Sequence, residues 1–187
     1  MTAAASPRNT QDGELAAWTH MWMASAALTL ELLQSSWNDE EPASSIGRRD
    51  ALSIVVIDAV RNAYRGAVAV LPNDAAAVTA FETSQPQLVR IRDFFEHFDE
   101  YVKGRGKLQK KAQTPSDSVI GMGWKRSASS GEGDHTMVFA VREGTTHAEY
   151  EVDAAAAVRA VQPLVRAVIQ EAGLLDSRHL AACPYCR

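Results

Sequence analysis

The stretch ALSIVVIDAV, residues 51–60, is apolar on nearly every side when wound as a helix. Such a segment needs cover on all its faces, so residues 46–71 are expected as the central helix of a bundle. A second helical pattern precedes it over residues 11–37. There Leu15, Trp18, Trp22, Ala26, Thr29 and Leu33 recur at three and four residues and form an expected inward stripe. The apolar run from Leu15 to Leu30 is bounded by Glu14 and Glu31. It is shorter than the roughly 20 residues that span a bilayer, which favours a buried helix over a membrane segment.

Proline and polar clusters punctuate the rest of the first half. NDEEPASS separates the two long helices, and Pro72 ends the second. Asn73 is placed to cap a short helix reaching about Phe81. Pro86 suits the first turn of the next helix, expected to run to Gly104. KGRGKLQKKAQTPSD, residues 103–117, reads as a loop.

Beyond it the period falls from about 3.6 to two. SVIGMGW, HTMVFAV and THAEYEV are short, rich in β-branched and aromatic residues, and separated by glycine-containing breaks. In the third, Ala148, Tyr150 and Val152 alternate with His147, Glu149 and Glu151, as on a half-buried strand. Asp153 is placed to cap a last helix to about Ala172, with Val158, Val161, Val165 and Val168 facing inward and Pro163 a candidate kink.

The expected fold class is α+β: a mostly α-helical bundle of long helices with a small antiparallel β-meander at about 118–152 and a C-terminal helix. The expected organisation is a disordered tail over residues 1–10, a single domain over 11–175 and a C-terminal tail over 176–187. The 187 residues suffice for one core. The N-terminus lacks the basic region, apolar core and cleavage site of a signal peptide. Two cysteines near the C-terminus make no disulfide framework, so a reducing cytoplasm is the expected setting.

Three groups of residues carry chemistry. Asp58, Arg61, Asn62 and Arg65 share one face of the central helix, either as a solvated face with an internal ion pair or as the wall of a polar cleft. In RDFFEH, Asp93 and His97 are four apart on one helical face, so the carboxylate can orient the imidazole. The plain alternative has Phe94, Phe95 and Phe98 inward and Arg92–Glu96 and Asp93–His97 as exposed pairs. The third group is His179, Cys183 and Cys186 in HLAACPYCR. C-x2-C with a nearby histidine is a partial site for a structural zinc, to be completed by sharing between subunits or by His135 or His147. A loose tail and a redox pair are the alternatives, the latter lacking its strand-then-helix context. His20, among tryptophans and methionines, reads as a core or partly buried histidine. GMGWKRSASSGEG lacks the setting of a phosphate-binding loop and reads as a hairpin with a mobile connection.

The order arginine, aspartate, three residues, histidine resembles the motif of the HEPN superfamily, helical bundles that carry it on a late helix. The resemblance covers about half the chain, and the meander and last helix depart from a plain helical HEPN bundle. It implies a metal-independent endoribonuclease of toxin–antitoxin or phage-defence type, with a site formed where two subunits of a homodimer meet. It further implies that His97 exchanges a proton with the 2′-hydroxyl or the leaving 5′-oxygen, that Arg92 holds the phosphate, and that Asp93 orients the site. RNA and an antitoxin protein are then the expected partners. Net charge is −4, which disfavours a protein coated with nucleic acid but permits a local basic groove. Lys103, Arg105, Lys107, Lys110 and Lys111 directly follow the motif, either as phosphate contacts or as a solvated basic loop. The alternative function is a non-catalytic helical interaction or sensor domain.

Overall fold

Helix α2 (Pro42–Val70) is the central element, in contact with α1 (Thr10–Ser35), with α4 (Leu88–Glu96) and with α6 (Ala154–Glu171). The computed structural model describes residues 10–36, 42–107, 120–125, 136–143 and 146–186. Among these the fold is α+β and mostly helical, and no helix is long and apolar enough to cross a membrane. The helix expected from residue 46 begins four residues earlier, with Pro42 as its first residue.

Helices α1 and α2 pack through Ala16, Met23, Ala26 and Leu33 against Val56, Val60, Ala63 and Ala67, all buried. Their approach is close at Gly66, where a Cβ would fall onto Thr19 Oγ1. The Arg49 guanidinium donates to the Ser36 carbonyl at 2.8 Å and joins the end of α1 to the start of α2. The expected stripe on α1 is out of phase at its start. Ala16, Thr19 and Met23 are buried, and Trp18 is 44% exposed. A helix apolar all round gives the pattern no phase; the small residue on α2 sets it, because only there can Thr19 come close.

Helix α3 (Ala76–Ser84) starts after Ala75 with no side-chain cap, so Asn73 does not serve as one. Pro86 lies in the turn before α4 rather than in its first helical turn. The helix expected to reach Gly104 stops at His97, and a separate short helix α5 (Phe98–Val102) follows. The break lets Tyr101 turn into the core, edge-on to Phe94 at 4.9 Å, and leaves Phe98 43% exposed rather than inward.

Strands β1 (Ile120–Lys125), β2 (Thr136–Glu143) and β3 (Thr146–Asp153) form an antiparallel sheet in the order β1-β2-β3. Phe139 pairs with Tyr150 and Met137 with Val152, placing apolar side chains on one face. Phe94 joins α4 to this face, 5.6 Å from Phe139 and 5.0 Å from Tyr150. Arg90 Nη1 donates to the Tyr150 hydroxyl at 2.9 Å. The Asp153 carboxylate accepts from Ala156 N at 2.5 Å and caps α6, whose Val158, Val161, Val165 and Val168 are buried as their spacing predicts. Pro163 sits inside α6 on its exposed side.

Candidate metal centre and the Arg92–His97 face

After α6 the chain reverses at Gly173, whose φ of 73° is the left-handed conformation that ends helices without steric cost. The Leu174 N–H reaches back to the Ile169 carbonyl at 2.9 Å and closes that turn. Asp176 then caps a short helix α7 (Ser177–Ala182), its carboxylate accepting from His179 N at 2.7 Å. His179 therefore lies in the first turn of α7 and Cys183 one turn later at its end. The turn through Pro184 and Tyr185 brings Cys186 back beside Cys183.

This segment docks on the bundle. Cys183 and Cys186 are buried, the latter completely. Opposite them, α1 presents His20, whose Nε2 lies 2.9 Å from Cys183 Sγ. One donor atom each from His20, His179, Cys183 and Cys186 lie within 4.8 Å of one another. The His20 ring meets those of His179 at 5.6 Å and Tyr185 at 6.2 Å.

The chemistry of these four groups is that of a ligand set. Bonds of about 2.3 Å to sulfur and 2.0–2.1 Å to nitrogen place tetrahedral donors ~3.3–3.8 Å apart, so small side-chain movements close the set around one ion. His179 Nε2 is buried without a hydrogen-bond partner, the condition of a nitrogen whose natural partner is a cation. Burial, then the hydrogen bond and charge of Cys183, push the Cys186 thiol up to about 12, with Arg166 opposing. Burial, then His179, lower the pKa of His20, which keeps its imidazole neutral and able to donate a lone pair. The His/Cys cluster near the C-terminus can thus bind a metal ion. The expected candidates His179, Cys183 and Cys186 are together, and His20 is the fourth group beside them. His135 lies outside the described residues, as does the side chain of His147. His20 is partly buried as expected, but its part in the cluster was not foreseen. The one available signal was an imidazole in an otherwise uncharged apolar run, beside a three-ligand motif one donor short.

The Arg92–His97 face is built differently. Arg92, half-buried, lies 3.6 Å from the Asp58 carboxylate on α2 and pairs with Glu96 one turn ahead. Asn62 Nδ2 donates to the other Asp58 oxygen at 3.1 Å. Arg61 lies alongside: burial lowers its pKa, nearby Tyr64 and Asp93 raise it, and Arg65 and Arg92 lower it. Five of the expected residues, Asp58, Arg61, Asn62, Arg92 and Asp93, therefore gather between α2 and α4, while Arg65 is exposed.

His97 is elsewhere. It ends α4 with φ −116°, and its Nδ1 lies 3.7 Å from Glu100. The expected Asp93–His97 side-chain pair is not formed; the His97 ring lies beside Glu100, and the two residues are joined by the backbone bond from His97 N to the Asp93 carbonyl at 3.1 Å. Asp93, His97, Glu100, Tyr101 and Lys107 line a concavity of about 280 Å³ that Arg92 does not line. Arg92 thus faces Asp58 and Glu96 while His97 lies beside Glu100, so the two side chains do not converge. Among the basic residues, Lys103 pairs with Asp99 at 3.3 Å, Arg105 and Lys107 are exposed, and Lys110 and Lys111 lie outside the described residues.

No protein-family model matches the chain, and no curated protein or solved structure is detectably similar to it.

Proposed function

We infer that this chain is a zinc-binding helical domain that acts through its surfaces, with the ion fastening the C-terminal segment to helix α1. The observation that carries the reading is the convergence of His20, His179, Cys183 and Cys186 within 4.8 Å. Two thiolates and two neutral imidazoles suit zinc in tetrahedral geometry better than the hard, oxygen-seeking cations. Four protein donors leave no position for a water or substrate, which is the arrangement of a structural ion. A thiol pair of this kind survives best in a reducing compartment.

The test is metal analysis of the full chain purified under reducing conditions. About one zinc per chain is expected, with His20→Ala and Cys186→Ser each losing most of it. Cobalt exchanged into the site should give the absorption of a tetrahedral ion with thiolate ligands. Metal content near zero after reconstitution with zinc overturns the reading. Full retention by His20→Ala removes that residue from the ligand set.

A second reading is RNA cleavage at Arg92, Asp93 and His97, as the HEPN resemblance implies. The concavity lined by Asp93, His97 and Lys107 favours it. Arg92 would have to leave Glu96 to reach a phosphate there, or be supplied by a second copy. Toxin or phage-defence settings and an antitoxin partner rest on the resemblance. Mixed RNA incubated with zinc-loaded protein in magnesium-free buffer should then yield 2′,3′-cyclic ends. His97→Ala and Arg92→Ala should each slow cleavage about 100-fold or more. RNA left intact by the wild type, or cut equally well by His97→Ala, rejects this reading.

A further inference from the structure

Helix α1 carries a second apolar face that the bundle does not cover. Trp18, Met21, Leu28 and Leu32 are 44, 49, 56 and 51% exposed. At about 100° per residue they centre roughly 150° away from Ala16, Thr19, Met23, Ala26 and Leu33, which face the core. With Ser25 they follow a spacing of three, four, three and four, the 3.5-residue repeat of a two-helix seam.

We propose that this face is the homodimer interface, with α1 of a second copy packed antiparallel across a two-fold axis at Ser25. The stripe is close to symmetric about that point, one residue (about 1.5 Å) short of an exact match at Met21 and Leu28. Trp18 lies seven residues before Ser25 and Leu32 seven after, while Met21 and Leu28 lie four before and three after. Trp18 then meets the second copy's Leu32, and Met21 its Leu28, with the small serine where the axes come closest. An isologous contact needs this property, and an unrelated partner does not.

Area and charge agree. The four large side chains expose on the order of 400 Å² per copy, taking typical side-chain areas. With flanking residues the pair would bury ~1,000–1,200 Å², at the lower end of stable interfaces. Within the stripe's span, residues 18–32, Glu31 is the one Asp, Glu, Lys or Arg, and at about 100° per residue it sits roughly 95° off the stripe's centre, at the rim of the contact. The charged residues of α1 are Asp12, Glu14 and Glu31, all acidic, which disfavours an anionic membrane as the occupant. The dimer requires neither the zinc reading nor the RNA reading.

The test is light scattering on the full zinc-loaded chain at tens of micromolar, joined to cross-linking of Ser25→Cys. A dimer mass is expected. Leu28→Glu, which enters the interface twice, should raise the dimer dissociation constant at least about 100-fold with helicity and zinc content unchanged. Ser25→Cys should form an interchain disulfide on mild oxidation by oxidised glutathione, each bond releasing two reduced glutathiones, while Val89→Cys on α4 should not. A wild-type monomer overturns the proposal. So does a dimer in which Ser25→Cys fails to cross-link, and the stripe then serves another occupant, such as residues 108–119 of the same chain or a foreign protein.

Discussion

Tyr64 shows how one side chain links two helices, α2 and α3. Its ring stacks on Phe81 of α3 at 5.2 Å, its hydroxyl donates to the Glu82 carboxylate, and the Arg61 guanidinium lies 5.1 Å from its ring centre. Burial first, then the hydrogen bond and the charge of Glu82, raise its pKa above 10.0, and Arg61 opposes them. The folded protein therefore keeps a proton that the unfolded chain begins to lose near pH 10. This contribution is complete below that pH and lost as pH rises through the higher folded value. Tyr64→Phe should be less stable than wild type at pH 7, with the gap narrowing above pH 10 in urea titrations. At the same scale the metal ligands divide sharply in legibility. Cys183 and Cys186 announce themselves by spacing, whereas His20 lies 163 residues from Cys183 and no local pattern joins them.

Among the elements, periodicity located α6 and the three strands because each has one face that must be buried, and the long apolar runs located α1 and α2. It missed the stop at His97, where no proline or glycine marks the end and the gain is a tertiary contact between Tyr101 and Phe94. It also mis-set the phase of α1, which Gly66 decides. Gly66→Ala should lower stability by about 1–3 kcal/mol, since the methyl group forces Thr19 and the α1 backbone outward. Gly47→Ala in the same helix meets nothing within 4 Å and should instead gain about 0.5–1 kcal/mol. Chemical denaturation of both variants checks the contrast, and equal effects would mean that α1 and α2 are not held at the close distance described.

For the molecule as a whole, the α+β class was readable from the change of period, but the position of the C-terminal segment was not. Residues 176–186 offer few apolar anchors, and α7 has no buried residue of its own, so nothing in their pattern points to α1. Side-chain chemistry at Cys183 and Cys186 fixes them instead. If zinc binds as proposed, stripping it with a chelator should raise tryptic cleavage after Arg178 at least about 10-fold, as local opening of this segment becomes easier. Sites in α2 should keep their protection, because that helix is held by the core. Equal cleavage with and without metal would show that packing alone holds the segment. The separation of 163 residues between His20 and Cys183 also sets an order in time. At roughly 5–20 residues per second, a ribosome needs about 10–30 s to pass from one to the other. On the proposed zinc reading, a nascent chain therefore carries an incomplete ligand set from His20 until Cys186 is translated, and no four-ligand capture precedes that length.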